Sequence, residues 1–120
     1  MNVLARILHP TDMPMVGTFR RLYRSVQDLA GQIYEDWATN NHDWTMPGFR
    51  AIAVHRFGTW VSNKRPGALR TVLLWLYQVM YRYIRNYYGI EIPLTVILGR
   101  RLWLVHQNGI VFHWKTVVGD

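Results

Sequence analysis

The chain has 120 residues, half of them apolar and 14% aromatic, with no cysteine and a formal charge of +7. That length holds one domain, or one small domain and part of another, and the apolar share is ample for a packed core, which excludes a disordered polymer. The lack of cysteine excludes a disulfide framework and a thiolate zinc site and fits a cytoplasmic setting. The basic excess suits anionic partners such as nucleic acid, a phospholipid surface or a phosphorylated small molecule; its plainer meaning is a solvated basic surface.

Residues 1–15 carry Pro10 and Pro14 and no sustained period, so they are expected to form an irregular arm. Their apolar stretch is too short for a secretory signal. From about Thr18 to Thr39, apolar residues at Leu22, Val26, Leu29, Ile33 and Trp37 fall at helical spacing, and Asn40, Asn41, His42 and Asp43 break the pattern. Pro47 suits a first helical turn, and Phe49, Ile52, Ala53, Arg56, Phe57, Trp60 and Val61 follow at steps of three and four. The stretch 63–67 (NKRPG) reads as a turn. A third helix is expected over Ala68–Tyr88; its apolar surface is wide enough that most of it should be buried between neighbours. Its apolar run is also far shorter than the roughly 20 residues of a bilayer span.

At Gly89 the character of the sequence changes. Ile92, Leu98, Leu104, Ile110 and Thr116 recur every sixth residue, with Val96 and Leu102 on a second track. A period of six fits neither a helix nor a simple alternating strand. A parallel β-helix of hexapeptide turns requires it, although ordinary short strands could share the spacing by chance. The expected fold class is therefore α+β: a helical domain over residues 16–89, then the first one to two coils of a left-handed parallel β-helix over residues 90–120. A triangular coil takes three hexapeptides, so residues 92–120 supply only about one and a half coils, and units that cannot bury their own faces need about three neighbours before stacking is stable. The chain is therefore expected to be cut from something longer, or covered at its end by another chain.

Two groups of residues stand out. One comprises Pro47-Gly48-Phe49-Arg50-Ala51, Val54-His55-Arg56-Phe57-Gly58 and Trp60. The other comprises Tyr87-Tyr88-Gly89-Ile90-Glu91-Ile92-Pro93, Leu98-Gly99-Arg100-Arg101 and His106-Gln107-Asn108-Gly109-Ile110-Val111. In order and spacing they resemble the serine O-acetyltransferases, especially those encoded with polysaccharide biosynthesis. The resemblance covers about residues 30–120. It implies transfer of acetyl from acetyl-CoA to a hydroxyl of serine or a sugar, with His106 as general base and Glu91 as the carboxylate that orients it. Taken without the motif around it, His106 is simply a histidine at a β-helix corner.

Glu91 departs from the Asp more common in the family. Val105 stands where serine-specific members carry an Asp before the histidine, which leaves the acceptor open between serine and a sugar hydroxyl. Asp43 falls where the family places an acidic substrate contact, with Asp36 as competitor; a solvated helix-end carboxylate is the plain alternative for both. The resemblance also implies a homo-oligomer, a trimer or hexamer. It places the coenzyme-binding residues and a second histidine beyond residue 120, so little turnover is expected from these residues alone. No metal is expected, since His9, His42, His55 and His113 lack ligand spacing.

Two non-catalytic readings compete. A single-strand nucleic-acid binder would pair a basic groove with exposed rings; the aromatics here lie on helical stripes that read as core, so no nucleic acid is expected. A membrane-surface protein would lay Arg70 to Tyr88 in the headgroup plane, and this could coexist with catalysis.

Overall fold

The computed structural model of the protein describes residues 16–120. Over these described residues it is α+β, with three helices followed by short parallel strand pairs: α1 (Val16–Thr39), α2 (Pro47–Ser62), α3 (Ala68–Tyr88), β1 (Ile90–Glu91), β2 (Ile97–Leu98), β3 (Ile110–Val111) and β4 (Val117–Val118). The arm expected over residues 1–15 lies outside the described residues. The chain divides into two compact units between Gly31 and Gln32, within α1. In the first unit the expected stripe of α1 is only partly covered: Leu22 and Val26 are exposed and Leu29 is half-buried.

In the second unit α1 ends where Asn41 and His42 adopt positive φ (62° and 55°), and the His42 N–H donates to Trp37 O at 2.9 Å. Pro47 opens α2 at a position whose N–H needs no helical partner. Gly89 closes α3 in the left-handed conformation (φ 68°), its N–H donating to Arg85 O at 2.9 Å. Helices α2 and α3 pack closely at Gly58, where a Cβ would run into the Tyr77 ring and lie 2.8 Å from Leu94 Cδ2.

The strands pair in parallel at a constant offset. β1 lies beside β3 with Ile90 opposite Ile110, and β2 beside β4 with Ile97 opposite Val117. Each partner is therefore 20 residues further along, two more than three hexapeptides. The stretches 89–99 (GIEIPLTVILG) and 109–119 (GIVFHWKTVVG) repeat one backbone course: a left-handed glycine, a strand, a tight turn, a second strand. The Val96 N–H donates to Pro93 O at 3.0 Å in one turn, and Thr116 N–H to His113 O at 2.9 Å in the other.

Both six-residue tracks point inward, with Ile92, Val96 and Leu104 in the core cluster and Leu98, Leu102 and Ile110 packed against it. Across the sheet Ile110 lies opposite Ile90, and the 20-residue offset exceeds three six-residue steps.

The core joins Ala51 and Ile52 of α2 and Ile84 of α3 to Ile90, Ile92, Val96 and Leu104. One polar cluster crosses it. Arg56, on α2, donates Nε to Asp36 Oδ2 at 2.8 Å, Nη1 to Leu98 O at 3.2 Å, and Nη2 to both Asp36 Oδ1 (3.3 Å) and Gly99 O (2.5 Å). Asp36 Oδ1 also accepts the Leu102 N–H, and Asn40 Nδ2 donates to Leu102 O at 2.9 Å. Asp36 is fully buried, which corrects the plain alternative that it is a solvated carboxylate at a helix end.

The expectation that most of α3 is buried also fails. Only Tyr77 and Ile84 of that helix are buried; Leu69, Val72 and Trp75 are more than 60% exposed. The aromatics are likewise not chiefly core, since Tyr34, Trp44, Trp103 and Trp114 stand in solvent. Periodicity set the width of the apolar face, and the described neighbours cover only one side of it.

Removing the Asp36 carboxylate would strand a buried guanidinium. Asp36→Ala is expected to lower unfolding stability by about 3–5 kcal/mol in urea titration. Breaking the exposed Glu35–Arg100 pair by Glu35→Ala should cost far less and in a salt-dependent way. Equal losses would show that the buried pair does not hold the fold.

Candidate functional site

The residues singled out from the sequence lie around the N-terminal end of α2 and on the first strand-bearing course. The segment between β2 and β3 carries Val105 and His106, both exposed. It is pinned at Gln107. The Gly48 N–H, in the first turn of α2, donates to Gln107 Oε1 at 2.7 Å, and Gln107 Nε2 donates to Leu104 O at 2.8 Å. A side chain at position 48 would not fit, since its Cβ would meet Gln107 Oε1 and Leu104 Cβ at 2.9 Å. Gly109 then turns the chain at φ 65°, donating its N–H to Tyr88 O at 3.2 Å. The two groups of residues that carry the resemblance thus touch directly, Gly48 of the first with Gln107 of the second.

Glu91 is half-buried on β1, opposite Val111. Its charge is felt at Tyr81 of α3, whose phenol is pushed above its ordinary value first by burial and then by that carboxylate. His106 and Glu91 are not brought into hydrogen-bond contact, and among the described residues neither side chain bonds another group. Asp43 lies in the turn leading into α2 and accepts the Thr45 N–H (2.9 Å) and Thr45 hydroxyl (2.5 Å). The Thr45 hydroxyl, then its amide, then Arg50 hold the Asp43 carboxyl below its ordinary value, so it is a fixed anion near neutral pH. Asp36, its competitor, is committed to Arg56 and to the Leu102 amide.

Two further residues matter to the site although their spacing alone assigns them no role. Gln107 lies between the histidine and a glycine turn, and that place is its signal in the sequence. His55 lies on α2. It is buried, with neither ring nitrogen hydrogen-bonded. Burial lowers its pKa below the ordinary 6.5, the neighbouring Arg56 charge lowers it further, and the backbone at Val96 and Pro93 offsets part of this. It is a neutral imidazole in the core. Among the described residues no three His, Cys, Asp or Glu side chains gather as a metal-binding group.

Gln107→Ala would leave the buried Gly48 N–H without an acceptor and is expected to cost about 1–3 kcal/mol in chemical denaturation; an unchanged midpoint would show the tie to be idle. For His55 the folded pKa lies below the unfolded one, so the unfolded chain binds the extra proton first. Stability should therefore fall as pH drops below about 6.5 and level off once pH passes below the folded pKa. Thermal midpoints of His55→Leu should show a shallower acid loss than wild type; parallel curves would overturn this.

Comparison of the chain with protein-family models, with curated proteins and with solved structures finds no match.

Proposed function

We propose that the chain belongs to an O-acetyltransferase of the serine O-acetyltransferase kind, moving acetyl from acetyl-CoA to a hydroxyl of serine or a sugar. On this reading β1–β4 are the opening coils of a left-handed parallel β-helix, and the assembled enzyme is a homo-oligomer, a trimer or hexamer. The observation that carries the reading is the constant 20-residue parallel register directly after the helices, with the motif segments at Gly48 and Gln107 hydrogen-bonded to each other.

The chemistry asks for a base at an accessible point. A hydroxyl is a weak nucleophile, and a neutral imidazole can take its proton as the oxygen attacks the thioester carbonyl. The new C–O bond forms, the C–S bond breaks, and the proton passes from the imidazolium to the departing thiolate. His106 is the proposed base because it is solvent-accessible on a segment tethered at the next residue. Glu91 is proposed as its orienting carboxylate, with contact made when substrate is bound, since such hydrogen bonds often tighten only in the complex. Asp43 is proposed to meet the acceptor. Val105, where serine-specific relatives carry an acid, leaves a sugar hydroxyl open as acceptor.

The test is thiol release from acetyl-CoA by the protein as its natural coding sequence specifies it, with serine and with a panel of sugar acceptors. His106→Ala is expected to lower the acceptor-dependent rate by about 10²–10⁴-fold, the usual worth of a positioned general base. An unchanged rate in that variant, or no acceptor-dependent release from wild type, overturns the proposal.

A further inference from the structure

Among the described residues, helix α3 is covered on one side only. Tyr77 and Ile84 are buried against its neighbours. On the opposite side Leu69, Val72, Trp75, Leu76, Val79 and Tyr83 are between 41% and 68% exposed. Steps of three and four place them on one arc of the helix. Tyr87, 72% exposed, extends the arc, its ring stacked on Tyr83 at 5.4 Å. From Leu69 to Tyr87 the stripe runs roughly 27 Å, at 1.5 Å per residue. Scattered surface apolar residues need no explanation, but a continuous stripe of this length does.

Charge decides what covers it. The only charged residues on α3 are Arg70, Arg82 and Arg85, with no Asp or Glu, and Lys64 and Arg65 precede the helix. Two such faces laid together would set like charges near one another with no carboxylate on the helix to offset them. A nucleic acid answers the arginines but offers little to Leu69, Val72 and Leu76. Arg70 is turned toward α2, where its Nη2 donates to Ser62 O, so the exposed cations beside the stripe are Arg82 and, ahead of the helix, Arg65. An anionic bilayer answers both, with hydrocarbon for the stripe, phosphate for Arg82 and Arg65, and the headgroup boundary for Trp75, Tyr83 and Tyr87.

A second feature agrees. An apolar groove of about 350 Å³ lies between α2 and α3, lined by Phe49, Val54, Met80 and Ile84, and Tyr83 belongs to both groove and stripe. Arg50 also lines it, its guanidinium lying 5.3 Å from the centre of the Trp44 ring and donating Nη1 to the Tyr88 hydroxyl at 3.1 Å. An apolar recess with a cation among its lining residues suits a hydrocarbon chain bearing a phosphate.

We infer that α3 docks the protein on an anionic phospholipid surface, its exposed stripe seated at the boundary between headgroups and acyl chains. This surface does not rest on the acetyl-transfer reading, and vesicle binding should survive intact in His106→Ala.

The test is sedimentation with vesicles of phosphatidylcholine alone and of phosphatidylcholine mixed with phosphatidylglycerol. Binding to the mixed vesicles is expected to be about tenfold tighter or more, weakened but not abolished by salt, with a blue shift of tryptophan emission. The double variant Val72→Asp, Val79→Asp should lose about tenfold or more while keeping its far-UV circular dichroism. Arg82→Glu, which leaves the stripe intact, should lose several-fold at low salt only. Protein left in the supernatant with both vesicle types, or equal binding to both, overturns the inference. So does a double variant that dissociates an oligomer in sedimentation velocity while vesicle binding is unchanged, since the face then belongs to a second copy.

Discussion

The buried pair of Arg56 and Asp36 is the constraint on which the second unit depends. Burying two charges repays its desolvation only when the geometry is close and the remaining donors and acceptors are filled. Here the guanidinium fork spends itself on three partners: a carboxylate from α1 and two carbonyls, Leu98 and Gly99, at the end of β2. The carboxylate in turn takes the Leu102 amide. Apolar packing alone would let the strand-bearing segment slide over the helices, because the hydrophobic effect has no direction. Fixed donors and acceptors give it a register. A lysine could not replace Arg56, since one ammonium cannot reach a carboxylate and two carbonyls in planar geometry.

The candidate site inherits that register at one remove. With residues 98–102 held by Arg56, Asp36 and Asn40, the segment that follows leaves from a fixed point and is caught again at Gln107 by the first turn of α2. His106 is therefore exposed yet bounded on both sides by anchored backbone. His55 shows the opposite arrangement. Placed on the packed side of α2, it is cut off from water, and burial keeps it neutral. Two histidines, each inside the residues that carry the resemblance, thus have opposite environments, solvent for His106 and apolar packing for His55.

Much of this was legible in the sequence. The helices follow from apolar spacing and from their punctuation: Pro47 opens α2, the stretch 63–67 separates it from α3, and Gly89 closes α3. The inward tracks were legible too, because the six-residue period survives in the core at Ile92, Val96, Leu98 and Leu104. The 20-residue recurrence was present in the letters, glycine-isoleucine at 89–90 and again at 109–110, but the six-residue period masked it. The role of Asp36 was not legible, because its partner lies 20 residues away and no local pattern distinguishes a buried carboxylate from a solvated one. Nor was the exposure of α3, since a periodic stripe declares that it can be covered and leaves open by what. The pairing of Glu91 with His106 was a matter of family likeness, and fifteen residues of separation on a turning chain do not fix a distance.

The surplus in the repeat carries a consequence for how such a chain can vary. Along the first course the even-numbered residues Ile90, Ile92, Val96 and Leu98 face inward while Ile97 faces out; along the next, Ile110, Phe112 and Val118 face inward while Val111 and Val117 face out. The connection that bears His106 is not continuous strand: it turns at Arg101 (φ 53°) and again at Gly109 (φ 65°). A change in its length can be taken up there while Val117 stays opposite Ile97 and each later side chain keeps its face. The segment around the histidine can therefore grow or shrink without disturbing the layer beneath it.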